Sequence, residues 1–249
     1  MVSASERSAK GILVRGEALL AAIEFRERGG RCEENPKALF CFDWARDNLD
    51  RYETPTVQHL QLVIAAVVLG FVIAFALALL AHRRRWLQPP LLAATGVLYT
   101  IPSVAFFFLL LPLTGRGADT AIIALTAFNL QIIYRNTLVG LANVPSSVRD
   151  AARGMGLTER QLLWRVEVPL ATPEIIAGLR IATVSTIAIA TLAVFVSGWG
   201  LGDQIYKSLN FPTGIIMGGG IAILMAILFD AILYLIQRLA TPWTRAAGS

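Results

Sequence analysis

Asp230, Arg135 and Arg180 are charged residues set inside long apolar stretches of this chain. A charge at that depth costs roughly 3 kcal/mol unless it is paired or wet, so each marks a position with a role. Asp230 stands about two turns from the end of the last stretch, with Arg135 and Arg180 at similar depth. The expectation is an ion pair between Asp230 and one of the two arginines that fixes helix packing. Gly198, Gly200 and Gly202 form a Gly-x-Gly-x-Gly string, but it follows an apolar stretch and no strand precedes it, so a close-packed turn is expected and not a phosphate cradle. His59 and His82 lie at opposite ends of one stretch, too far apart to share a metal, and both are expected at an interface. No His cluster and no Cys-x-x-Cys pair is present, and no metal site is expected. Cys32 and Cys41 could form a disulfide in an oxidising compartment; free thiols are the alternative. No nucleophile–base arrangement, carboxylate pair or Walker-type phosphate loop is visible, so no catalytic residue is assigned. An energy source for active work must then lie in another chain.

The elements that must position these residues follow from composition. The chain is 55% hydrophobic and only 16% charged, too little charge to clothe an ordinary soluble globule. Five apolar segments, at about 57–81, 89–112, 118–141, 173–197 and 213–237, are long enough to cross about 30 Å of hydrocarbon as helices. Pro102 and Pro112 are expected to bend the second. Residues 1–55 hold 9 of the basic and 10 of the acidic residues, leaving 13 basic against 7 acidic in the apolar part. Basic loops of that kind suit an anionic membrane surface, and with no interleaved aromatics they do not suit nucleic acid.

Arg83, Arg84 and Arg85 follow span 1; Arg149, Arg153, Arg160 and Arg165 lie between spans 3 and 4; Arg238 and Arg245 follow span 5. The opposite loops carry only Arg116 and Lys207. The positive-inside rule then puts the N-terminus outside and the C-terminus in the cytoplasm. Three regions are expected: a polar, extracytoplasmic N-terminal extension over 1–55, a transmembrane domain over 56–240, and a cytoplasmic tail over 241–249. Within the extension, residues 8–28 suit an amphipathic helix, and 40–54 a helix lying at the membrane surface.

Residues 144–174 are the most informative loop. Ser147 with Asp150 has the pattern of a helix-starting cap, and Gly154 and Gly156 can end a short helix in the left-handed conformation. Thr158 with Gln161 is a second capping pattern, opening a helix that Pro169 is expected to stop. Thr172 and Pro173 would start span 4. The result is a helix, a tight glycine turn and a second helix, small and rigid enough to dock in a groove of a soluble partner. A long loop between spans also needs some local helix, and spacing alone leaves both readings open.

Asp150-Ala151-Ala152-Arg153, Gly156 and Pro169 resemble the Glu-Ala-Ala, three residues, Gly, later hydrophobic-Pro motif of permease subunits of type I binding-protein-dependent ABC importers. Asp150 replaces the usual Glu but keeps the carboxylate, and Val168 stands where Leu is common. YTIPSVAFFFLLLPLTGRG (99–117), RNTLVGL (135–141), AARGMGL (151–157) and GWGLGDQIYKSL (198–209) are similar to the subfamily importing glycine betaine, carnitine, choline and related osmoprotectants. The resemblance covers roughly 40–243 and leaves 1–39 unexplained.

It implies an all-α membrane protein, a five-helix permease bundle with a cytoplasmic coupling helix, in a bacterial or archaeal cytoplasmic membrane. It implies ATPase subunits as partners, a second permease chain, and an extracytoplasmic substrate-binding protein. ATP and Mg would be used by the ATPase, with no cofactor in this chain. Thr100, Ser103, Asn129 and Gln131 are polar candidates for a weakly selective path. The rival readings are an importer of another small zwitterion or amino acid, an ATPase-independent channel or secondary transporter, and a membrane-embedded enzyme.

Overall fold

The computed structural model describes residues 39–243. The amphipathic helix expected over 8–28, Cys32, and the tail from 244 onward lie outside the described residues. The regular structure among those described is all helical, with no strand among them.

A short helix α1 (Phe42–Asp47) and a 3-10 turn (Leu49–Tyr52) lead into α2 (Glu53–Arg83). There follow α3 (Gln88–Thr100), α4 (Ser103–Thr114) and α5 (Ala118–Ala142). A pair of short helices comes next, α6 (Ser146–Gly154) and α7 (Glu159–Leu162), before α8 (Val168–Ala190). The chain closes with α9 (Val194–Ser197), α10 (Leu201–Lys207) and α11 (Pro212–Ala240). Four uninterrupted helical stretches are long and apolar enough to cross a membrane, and α3 with α4 makes a fifth only as a bent pair.

That bend falls within the expected second span, at Pro102, one of the two prolines expected to bend it. The helices meet at 99°. Proline disfavours helical backbone in the residue before it, and Ile101 accordingly turns out to ψ 126°, with Pro102 opening α4. Pro112 sits inside α4 without ending it.

Span 4 departs from expectation. Pro169 does not stop the helix that Thr158 starts. The chain stays helical from Glu159 to Ser197, and a π turn at Leu163–Glu167 carries it into α8. A proline inside a helix removes one hydrogen bond and crowds the carbonyl four residues back. The wider turn immediately before Pro169 accommodates both, so Pro169 and Pro173 become interior residues of one long helix.

The core forms where α5 lies between α2 and α8. Ala66, Ala74, Ala78 and Ala81 recur about every turn of α2 and are fully buried, as are Ala121 and Ala124 of α5. Small residues at that spacing let helix backbones approach closely, which is what holds helices together where lipid removes the hydrophobic drive. Leu62, Phe107, Leu125 and Ile187 fill the larger apolar cluster. Leu141, Leu163, Ala171 and Ile175 form a smaller one beneath α6 and α7.

The bundle has two distinct ends. His82 at the end of α2 reaches Glu167, which puts Arg83–Arg85, α6, α7 and the end of α11 on one basic face. At the opposite face, Gly117 N–H donates to the Val196 carbonyl at 3.1 Å. Residues 40–54 were expected to lie on the membrane surface, but they form a packed cap there. Trp44 and Tyr52 are buried; the Trp44 ring meets Phe211 edge-on at 4.8 Å, and the Tyr52 hydroxyl donates to the Gly214 carbonyl at 3.2 Å. Only Phe42 and Leu49 of its apolar residues stay exposed.

Candidate functional site

The segment between α5 and α8 builds its own rigid corner. Ser147 is not the cap of α6: Pro145 holds that position, with no side-chain bond. Gly154 remains helical, and the turn is made at Gly156, at φ +83°. Leu157 N–H donates to the Ala152 carbonyl at 3.2 Å and Gly156 N–H to the Arg153 carbonyl at 2.9 Å. This nested pair of bonds ends a helix through one left-handed residue, the conformation glycine adopts most cheaply. Thr158 and Gln161 then form the reciprocal capping box that opens α7, as their spacing predicts.

Charges close the corner. Arg153 donates to Glu159 across the turn at 3.0 Å and lies 3.5 Å from Asp150. The hydrogen bond to Glu159 pushes the Arg153 guanidinium further above its ordinary range. Ala152 faces inward and is buried, while Asp150, Ala151, Arg153 and Met155 face outward. The corner therefore offers a knob with a flat glycine at its tip, and no described atom lies within 4 Å of where a Gly156 side chain would begin.

Glu167, which sequence reading left unassigned, binds this corner to the bundle together with His82 and Arg149. Glu167, on the π turn, is buried. It meets His82 Nε2 at 3.0 Å and Arg149 Nε at 3.4 Å. Arg149 also donates through Nη2 to the Val144 carbonyl and to the Ala142 carbonyl at 3.4 Å. One carboxylate thus ties α2, α6 and the root of α8 together, and its arginine caps the open end of α5. The available signal was a lone acid in the apolar run Val166–Leu170.

The expected membrane ion pair forms between α8 and α11. Arg180 Nε and Nη2 each donate to Asp230 at 2.8 Å, in two-pronged geometry. Nη1 donates to Gln237 Oε1 at 3.3 Å, and Gln237 donates to the Pro173 carbonyl. Arg135 is exposed and forms no ion pair among the described residues, so it drops out of the expected set.

The four polar path candidates are not brought together. Asn129 is buried, donating to the Ala66 carbonyl at 3.3 Å and accepting from Thr186 at 2.8 Å. Its polar capacity is used in joining α2, α5 and α8. Gln131 bonds to Thr95. Thr100 is exposed and donates to the Val97 carbonyl, and Ser103 begins α4 across the bend. His59, expected at an interface, is fully buried, with Nε2 3.0 Å from the Ile187 carbonyl. In the glycine string, a Cβ at Gly202 would run into the Thr191 backbone carbonyl, which makes this a close-packed turn as expected. The Cys32–Cys41 expectation falls partly on Cys32, outside the described residues. No cluster of three or more metal-binding side chains occurs among the described residues.

Comparison with known proteins adds a family. Residues 65–246 match the family described as binding-protein-dependent transport system inner membrane component. The choline transport system permease protein OpuBB of Bacillus subtilis is 34% identical over 189 residues, which is 75% of this chain and 87% of that protein. The osmoprotectant import permease protein OsmW of Salmonella typhimurium is 36% identical over 203 residues, 79% of this chain and 94% of that one. Among solved structures, a chain of the MetNI methionine ABC transporter in an inward-facing conformation superposes with a TM-score of 0.63. It is 22% identical and covers 77% of this chain and 94% of that chain, a likeness of fold.

Proposed function

Because the chain belongs to the family of binding-protein-dependent transport system inner membrane components, we propose that it is the permease of an ATP-driven importer for glycine betaine or a related quaternary-ammonium osmoprotectant. The substrate class rests on the choline and osmoprotectant relatives, each covered over most of its length. The single observation that carries the mechanism is the corner at Gly156, capped on both sides and tied to the bundle through Glu167.

In this reading Asp150, Ala151, Ala152, Arg153 and Gly156 form the coupling knob, held in the cytoplasm against a separate ATPase chain. Pro169 belongs to the root that carries its movement. The basic face is cytoplasmic, which places the N-terminal cap outside, where a substrate-binding protein delivers solute. A second permease, identical or homologous, completes the path, with Thr100, Ser103 and Gln131 as candidates for its polar lining. ATP, with Mg, is bound and hydrolysed by the ATPase pair. Its closure pushes the knobs and rocks the two bundles between inward- and outward-facing states.

Gly156→Val tests the docking assignment. A β-branched residue at φ +83° costs about 1–2 kcal/mol of local strain and projects a side chain into the space the partner would occupy. The expected result is a loss of about 10-fold or more in ATP-driven uptake by the reconstituted complex. Gly156→Asn, which tolerates the same backbone, is expected to keep the turn but still weaken coupling through its bulk. Normal uptake in both variants overturns the assignment.

A further inference from the structure

The Arg180–Asp230 pair is too exposed for the place it occupies. Arg180 lies twelve residues beyond the start of α8 and Asp230 ten before the end of α11. At about 1.5 Å per residue, with the spans bounded near 173 and 237, both stand about two turns, roughly 10 Å, inside the hydrocarbon. Yet their side chains are 26% and 41% exposed. Charged groups at that depth face a protein interior or water, because lipid gives them no partner. This side of α8 and α11 therefore turns away from lipid, toward the second permease chain of the proposed importer and the aqueous path between the two bundles.

The chemistry collected there is specific. Asp230 supplies a carboxylate and Arg180 a guanidinium, and Tyr234 adds a half-exposed ring with Arg180 Cζ 5.1 Å from its centroid. A cavity of about 450 Å³ is lined by Ala177, Ile181, Val184 and Ser185 with Arg180 and Asp230, and Tyr234 stands beside it through Arg180. That volume suits a small solute. A quaternary ammonium has no N–H to donate, and it is held by carboxylates and aromatic faces. A carboxylate is held by a guanidinium fork. Resting Arg180 occupies the cation place itself, against both Asp230 and Tyr234.

Resting on the importer reading, we infer that Arg180, Asp230 and Tyr234 form a transit site for zwitterionic quaternary-ammonium solutes within the membrane. The solute opens the pair: its carboxylate takes Arg180, and its ammonium takes Asp230 and the Tyr234 face. Each protein charge exchanges one partner for another, so no charge is left unpaired and the solute is held weakly enough to leave.

The test measures binding of glycine betaine and of choline, which lacks the carboxylate, to the permease–ATPase complex in nanodiscs without binding protein, by ligand-observed NMR. In Arg180→Gln the glycine betaine to choline affinity ratio is expected to fall about 5-fold or more, and in Asp230→Asn to rise by a similar factor. A merely structural pair would not move the ratio in opposite directions. Tyr234→Leu leaves the pair in place and is expected to weaken both solutes about 5-fold, while Tyr234→Phe keeps them. If either charge variant fails to assemble, the Tyr234 variants decide. An unmoved ratio in assembled charge variants, or wild-type binding in Tyr234→Leu, overturns the transit site. Uptake by the wild-type complex with its binding protein separates the two failures. Import of either solute alongside such a result removes the transit site alone, whereas import of neither removes the substrate reading and the transit site with it.

Discussion

Glu167→Ala is expected to lower the stability of the permease by about 3 kcal/mol and to uncouple ATP hydrolysis from uptake. The carboxylate is buried and faces two basic groups, His82 at 3.0 Å and Arg149 at 3.4 Å. Removing it leaves the Arg149 charge, only 17% exposed, without its counter-ion, and an uncompensated buried charge is among the costlier single changes. The damage is also directional. With an ATPase docked at the corner as proposed, α6 would lose its tie to the root of α8, so ATPase movements would flex the corner without turning the bundle. Glu167→Gln keeps a hydrogen-bond acceptor and is expected to fall between alanine and wild type. Thermal unfolding of the purified complex reads the stability, and the ratio of solute moved to ATP hydrolysed reads the coupling. Wild-type values of both in Glu167→Ala would show that the network carries neither.

Gly202→Ala is expected to cost about 3 kcal/mol, the upper part of the range for overpacking. The new methyl group would meet the carbonyl of Thr191, which is backbone and cannot rotate away. α10 would have to lift from the 3-10 turn at Thr191–Ala193, disturbing the hydrogen bond that Gly200 N–H donates to Gln58 Oε1 at 3.2 Å. Low yield of assembled permease, with a thermal midpoint well below wild type, is the expected readout. A midpoint equal to wild type would mean that α10 is not seated as described.

What could be read from the sequence divides along a physical line. Hydropathy reports how deep a residue lies, and the long apolar helices followed from it directly. Depth alone also gave Asp230 a basic partner. It could not choose between Arg135 and Arg180, because that choice depends on which way each side chain faces around its helix. Asn136 and Gly140 of α5 are turned toward α8, and Arg135 is rotated about 100° from Asn136, so it points outward. Capping chemistry is local, and Thr158–Gln161 was legible for that reason. Pro169 was misread because a proline's effect depends on the turn before it, and a π turn leaves no mark of its own in composition. The break at Ile101–Pro102 did have a local cause, but its angle is set by packing. His59 was beyond reach, since its partner carbonyl lies 128 residues away. So were the counter-ions of Glu167, which come from two other helices.

The π turn at Leu163–Glu167 has a mechanical meaning beyond fitting Pro169. The helix that contains it runs 39 residues from Glu159 to Ser197, a shaft of roughly 58 Å at 1.5 Å per residue. A five-residue turn on that shaft does not shorten it appreciably, but it fixes the rotational phase between the two ends, as a key fixes a pulley on an axle. Each residue added or removed there would swing the knob by about 100° relative to Arg180. Chimeras that graft the corner from a relative keep the two ends in gear only when this turn travels with it.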